Sequence, residues 1–170
     1  GKSEGGAVWL DPAQTSPYKF YQFWLNIDDE TAVDLVKIYT LLDRETIDAL
    51  IQNHVENPGA RALQKTLARE VTDLVHGKER RESVENVTTV LFGGADVTSL
   101  SDDELDMLSK EIPTISLNRS IASALVDSGV VASNGEARRL IAGGGVSVNG
   151  QKITNDAEIT DVSLVKKGKN

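Results

Sequence analysis

Cysteine is absent from the 170-residue sequence, which excludes a disulfide framework, a thiolate metal site and a thiol nucleophile. Methionine occurs once, at Met107, and the chain opens on Gly1, so an upstream segment is expected. Aromatic side chains are scarce and stop early: there are eight, six of them between Trp9 and Trp24, and none follows Phe92. No apolar run approaches the roughly 20 residues that cross a bilayer, and no charged-then-apolar leader opens the chain. These absences suit a cytoplasmic protein with no membrane partner. What is present, 39% hydrophobic and 26% charged residues, supports a folded core over most of the length.

The net charge of −8 argues against a nucleic-acid partner until its distribution is considered, because an acidic protein repels phosphates at long range. Residues 1–112 hold 11 Lys and Arg against 21 Asp and Glu, whereas residues 113–170 hold 7 against 5. The acid is confined to a part whose pattern is helical. Ser16-Pro17 predicts a first helix to about Leu25, and Asp28 or Asp29 opens a second with Val33 and Val36 in a stripe continuing to Leu41. Asp43 opens a third with Ile47, Leu50 and Ile51 on one face. Pro58 begins the clearest helix, in which Leu63, Leu67, Val71, Leu74 and Val75 recur at spacings of three and four before Gly77. Val84, Val87, Val90 and Leu91 predict another, ending at Gly93-Gly94, and Ser101 with Glu104 forms a capping box before Leu105, Leu108 and Ile112.

Pro113 marks a boundary, since the residue before a proline is pushed out of helical geometry. Beyond it, Leu117, Ile121, Ala124 and Leu125 predict a short helix ending near Gly129. Ser133 with Glu136 forms a second capping box and opens another helix, with Ala137, Leu140 and Ile141 inward. Gly143-Gly144-Gly145 breaks that helix, and Val146 and Val148 alternate up to Asn149-Gly150, a strong hairpin turn. Ile159 to Val165 reads as a further strand, running into Lys166-Lys167-Gly168-Lys169 where a returning partner strand is expected. At about 100° per residue, Arg138 and Arg139 project away from the apolar stripe of their helix. With Lys152, Lys166, Lys167 and Lys169 they are expected to converge on one face, in a groove between helix and strands. The plain reading of such side chains is solubility; the order of elements tips the balance. With no aromatic platform for stacking unpaired bases, recognition here has to rest on phosphates and shape.

The stretch Ala137-Arg138-Arg139-Leu140-Ile141-Ala142-Gly143-Gly144-Gly145-Val146-Ser147-Val148-Asn149-Gly150 resembles the S4 RNA-binding domain, whose core reads roughly A-R-x-L-I-x-x-G-x-V-x-V-N-G. The resemblance implies that Arg119, Arg138, Arg139, Lys152, Lys166, Lys167 and Lys169 lie on or near an RNA-binding surface. The start of the chain, G-K-S-E-G-G-A-V-W-L-D followed by T-S-P-Y-K-F-Y-Q-F-W, is similar to bacterial tyrosyl-tRNA synthetases from the end of their mobile ATP loop onward. A-L-Q-K-T-L-A-R-E-V-T-D-L-V-H-G, ending at Gly77, is close to a helix of the same family.

The resemblance spans essentially the whole chain and implies three parts: residues 1–15 as a remnant of the ATP loop and linker, 16–112 as an α-helical anticodon-binding domain, and 113–170 as a small α+β S4-like domain, two short helices packed on a small sheet and truncated at its C-terminus. Lys2 and Ser3 would be the catalytic remnant, Lys2 bringing positive charge to the departing pyrophosphate and Ser3 holding the loop against the nucleotide. The parent enzyme would use ATP, with or without Mg2+, to attach tyrosine to tRNA(Tyr), and would form a homodimer through the catalytic domain. The fragment itself would need no cofactor and would bind tRNA without catalysing either step.

Trp9, Tyr18, Phe20, Tyr21, Phe23 and Trp24 cannot all point one way from a helix; the plain reading is a core, the other a face toward an upstream domain. His54 and His76 fall in last helical turns, where an imidazolium is favourably placed, and no spacing suggests a metal site. The acids around Asp28 and Asp102 suit helix starts, although a few could meet exposed anticodon bases. Two rival readings are a different S4-bearing protein, such as an RNA-modifying or ribosome-associated factor, and a helical protein-interaction module without an RNA role.

Overall fold

The computed structural model of the chain describes residues 8–168, so Lys2, Ser3 and Lys169 lie outside the described residues. A helical region is followed by a small α+β segment. By its internal contacts the chain divides after Val84 into two compact units, considered separately below.

In the first unit, α1 (Pro17–Leu25), α2 (Asp29–Tyr39) and α3 (Arg44–Glu56) each pack on α4 (Ala62–His76). Side-chain caps decide where the first three begin. Ser16 Oγ, Asp28 Oδ1 and Asp43 Oδ1 each accept from a backbone N–H three residues on, satisfying donors that the helix itself leaves open. Burial then selects the inward faces: Phe20, Ala32, Val36, Ile47, Leu63, Leu67, Ala68 and Val71 are all enclosed. Four of the six early aromatics, Tyr18, Phe20, Tyr21 and Trp24, are core residues, while Trp9 and Phe23 remain half exposed. The expected stripes are shorter than their periodicity: α2 ends at Tyr39, leaving Leu41 exposed, and Leu74 of α4 is also exposed. Ala32 and Gln64, not singled out by pattern, are buried instead.

Polar groups fix the junction between α1 and α2. Arg61, at a left-handed φ of 52°, donates through Nη2 to the carbonyls of Leu25 and Ile27 at 2.8 and 3.2 Å. Gln64 Nε2 donates to Asp29 Oδ1 at 2.6 Å, and buried His54 approaches the same oxygen at 3.3 Å. His76 departs from the sequence expectation. Packed edge-on against Phe20 at 4.8 Å, it is pushed below its ordinary pKa of 6.5, first by burial and then by the nearby Arg80 charge. The helix-end attraction for an imidazolium is outweighed by the loss of water.

This depression sets a pH dependence. A histidine whose folded pKa lies below its unfolded value contributes stability above about pH 6.5 that is lost as the pH falls. Asp28, Asp43 and Asp96 are likewise held below 3.8, chiefly by the backbone N–H of Thr31, Thr46 and Thr98, so their contribution disappears at still lower pH. The melting temperature should therefore decline in two stages on acidification, and His76→Gln should flatten the upper stage alone; a profile unchanged by that substitution would contradict the assignment.

The second unit contains most of α5 (Lys78–Phe92) and α6 (Asp102–Glu111), the latter opened by a complete capping box between Ser101 and Glu104. β1 (Arg119–Ser120), α7 (Ile121–Asp127), α8 (Asn134–Ala142), β2 (Val146–Val148), β3 (Gln151–Ile153), β4 (Glu158–Ile159) and β5 (Val165–Lys167) follow. β1 pairs with β4, and a separate antiparallel sheet has the order β3-β2-β5. The strand expected over Ile159 to Val165 is thus two strands in different sheets. Leu117 precedes β1 rather than opening α7, which starts under the side-chain caps of Ser120 and Asp156. Among the described residues no helix is long and apolar enough to cross a membrane.

Candidate nucleic-acid interface

The core beneath the interface is built from both helices and the three-stranded sheet. Ile121, Ala122, Leu125, Val131, Ala137, Ile141 and Val146 are buried together, with Leu140, Val148, Ile153 and Val165 against them. Inward placement of Ala137 and Ile141 on α8 forces the intervening Arg138 and Arg139 outward, and both are exposed. The glycine triplet ends the helix by a Schellman arrangement: Gly144 takes φ +68°, its N–H donates to the Ile141 carbonyl, and that of Gly145 to the Leu140 carbonyl. At Gly145 a Cβ would sit 2.8 Å from Leu140 Cδ1, so a side chain there would make the leucine shift. The chain then enters β2 and reverses at Asn149 (φ 48°) and Gly150 (φ 79°), the turn expected from the sequence. Asn149 also accepts from the Leu164 N–H through Oδ1 at 2.8 Å, tying the turn to the approach of β5.

Strand alternation separates the lysines. Ser147 lies opposite Lys152 on β3 and opposite Lys166 on β5, so these three form a row across one face of the sheet. Val146 lies opposite Ile153 and Lys167, and Val148 opposite Val165, on the face that meets α7 and α8. Lys166 and Lys167 therefore leave β5 on opposite sides, as a period of two requires. Among the described residues, the cations do not all gather in the single groove expected. Arg138, Arg139 and Lys167 belong to the helical side, where Lys167 Nζ donates to the Val130 carbonyl at 3.1 Å in the α7–α8 connection. Lys152 is exposed on the outer face, and Lys166 is half-buried there.

Arg119 is exposed at the start of β1 and carries a carboxylate partner that motif reading missed: its Nη1 lies 2.6 Å from Asp127 Oδ2 at the end of α7. The acid at a helix C-terminus is unfavourable by itself, and the guanidinium offsets it. Such an exposed pair contributes about 0–1 kcal/mol, so phosphate can compete for Arg119. The signal was present in the sequence only as a separation of eight residues, invisible without knowing that β1 folds back beside α7.

Two family models match the chain: "tRNA synthetases class I (W and Y)" over residues 1–93 and "Tyrosine--tRNA ligase SYY-like C-terminal domain" over residues 104–169. Among curated proteins, the tyrosine–tRNA ligase of Anaeromyxobacter dehalogenans strain 2CP-1 is 45% identical, with 99% of this chain and 42% of that protein covered. The ligase of Cytophaga hutchinsonii is 44% identical over 97% of this chain and 42% of its own length. For tyrosine–tRNA ligase 2 of Bacillus cereus the figures are 43%, 96% and 39%. The chain thus spans about two fifths of the length of these relatives. A solved structure of a C-terminally truncated mitochondrial tyrosyl-tRNA synthetase from Aspergillus nidulans aligns at 31% identity and a TM-score of 0.49, covering 51% of this chain and 25% of that one.

Proposed function

Since the chain belongs to the class I tRNA synthetases and corresponds to the C-terminal portion of tyrosyl-tRNA synthetase, we propose that it is the tRNA-gripping part of a tyrosine–tRNA ligase. The whole ligase would activate tyrosine with ATP, with or without Mg2+, and transfer it to tRNA(Tyr). Lys2 and Ser3 would serve its ATP loop, and homodimerisation would belong to the catalytic domain. Residues 16–112 would act as the anticodon-binding domain and 113–170 as the S4-like RNA clamp, in a cytoplasmic enzyme.

The observation that carries this reading is the segment Ala137–Gly150, in which helix, glycine cap and hairpin leave Arg138 and Arg139 exposed above an apolar core. On the helical side Arg138, Arg139 and Lys167 would contact phosphates, with Arg119 at the margin, and Lys169 would add a further cation. Lys152 would be an outer-face contact. Guanidinium groups suit this task because their planar donors match phosphate oxygens two at a time. The helical-module rival gives no reason for cations on that surface.

Filter binding of the 170-residue chain to a tyrosine tRNA transcript and to an unrelated tRNA tests the reading. Preferential retention of the tyrosine tRNA is expected; equal or absent retention of both would overturn it. Asp127→Asn offers a second check. Freeing Arg119 and removing a negative charge should tighten binding about two- to fivefold, the scale of an exposed ion pair. Unchanged or weakened binding would remove Arg119 from the interface.

A further inference from the structure

Lys166 is engaged differently from the exposed cations around it. It is half-buried, and its Nζ donates at 2.5 Å to the backbone carbonyl of Leu91, 75 positions earlier in the last turn of α5. Both residues belong to the second unit. The final carbonyls of a helix lack intrahelical partners and carry the negative end of its dipole, so a cation is favoured beside them. α5 has no basic residue in its own last turn and runs directly into Gly93 and Gly94, the latter at φ +79°. Its terminal cation is supplied by β5.

The same geometry places a constraint on the sheet. Lys166, Ser147 and Lys152 share the outer face, and the end of α5 approaches it at Lys166. The carbonyl takes one of the three ammonium donors, and the half-buried setting restricts the approach of a phosphate to the other two, unlike at Lys167, which also donates to a carbonyl but is exposed.

From this we infer that Lys166 is a positioning residue: it seats the C-terminal end of α5 on the outer face of the β3-β2-β5 sheet and leaves the phosphate contacts to the other cations. The inference rests on the RNA-binding reading for its affinity arm, and its structural arm stands without RNA. A phosphate-contacting lysine contributes about one unit to the slope of log affinity against log salt, whereas a positioning residue contributes to affinity and not to that slope.

The experiment compares wild type, Lys166→Met and Lys166→Arg in the 170-residue chain by hydrogen exchange and by tRNA binding across a salt series. The Gly93 and Ala95 amides, both bonded to the Thr89 carbonyl at the end of α5, report on seating. In K166M they should exchange about tenfold faster, tRNA affinity should fall by up to about tenfold, and the salt slope should match wild type. K166R should restore protection. A slope shallower by about one with unchanged exchange would make Lys166 a direct phosphate contact and overturn the inference, as would unchanged exchange alone. If wild type binds no tRNA, the RNA-binding reading falls and the exchange comparison still decides the role of Lys166. Should K166M not fold, Lys166→Gln, which drops the charge and keeps a donor, is judged by the same readouts.

Discussion

Reversing both arginines of α8, Arg138→Glu with Arg139→Glu, should weaken tyrosine tRNA binding at least about a hundredfold while leaving the fold intact. Two phosphate contacts would be lost and two repulsions created on a surface whose surroundings are only marginally basic. The salt slope should become shallower by about two. Stability should fall by no more than about 1–2 kcal/mol, because both side chains are exposed and the core beneath depends on Ala137 and Ile141, while a reversed charge at Arg139 opposes the dipole in the last turn of α8. Circular dichroism and melting provide the control, and filter binding the readout. Retained affinity would place the RNA elsewhere, on the acidic helical region or on the outer sheet face. Lost affinity accompanied by unfolding would mean that the arginines support the core instead.

The second large effect concerns the first unit. Phe20→Ala should cost about 3–5 kcal/mol, the usual range for removing a fully buried ring. Phe20 is 1% exposed and packs edge-on against both Trp24 and His76, so its loss opens a cavity lined by rings that cannot collapse together without moving α1. Against a total stability of about 5–15 kcal/mol for a domain, that leaves little margin. Urea unfolding should show a lower midpoint with an unchanged slope. A loss under about 1 kcal/mol would show that the aromatic cluster is not the keystone of α1–α4 packing. Water admitted beside His76 should also return its pKa toward the ordinary value, flattening the upper stage of the acid profile in the same way as His76→Gln.

The parts of this architecture that could be read in the sequence are those governed by local chemistry. Ser16-Pro17, Asp28, Asp43 and the Ser101–Glu104 box each announced a helix start, because a side-chain acceptor three residues before an open N–H works wherever the helix lies. Asn149-Gly150 announced its turn because both residues tolerate positive φ. Ser133 illustrates the limit of such reading: it caps α8 as expected, but Glu136 reaches back to the Ala132 N–H, so the reciprocal half of the box is displaced by one residue.

What remained hidden depends on partners distant in sequence. β1 and β4 are two residues each, too short for alternation to register, and exist because Arg119 and Ser120 pair with Ile159 and Glu158. Gln64, His54 and Arg81 are buried through polar contacts that hydrophobic periodicity does not register. The lysines of β5 are the instructive case within the candidate interface. Treated as a cluster at a strand end, they promised one basic groove; once β5 is known to include Lys166 and Lys167, alternation sends them to opposite faces. Where the positive charges lie along the chain was legible, and the face of the sheet that each lysine takes was not.

The most direct measurement is the salt dependence of tyrosine tRNA affinity for the 170-residue chain, by filter binding. If cations on the helical side of the second unit hold phosphates, log affinity should fall linearly with log salt with a slope of about −2 to −4, allowing a little under one unit for each of the Arg138, Arg139, Lys167 and Arg119 contacts. Affinity independent of salt, or no retention of the tRNA at the lowest salt at which the protein stays soluble, would contradict the account.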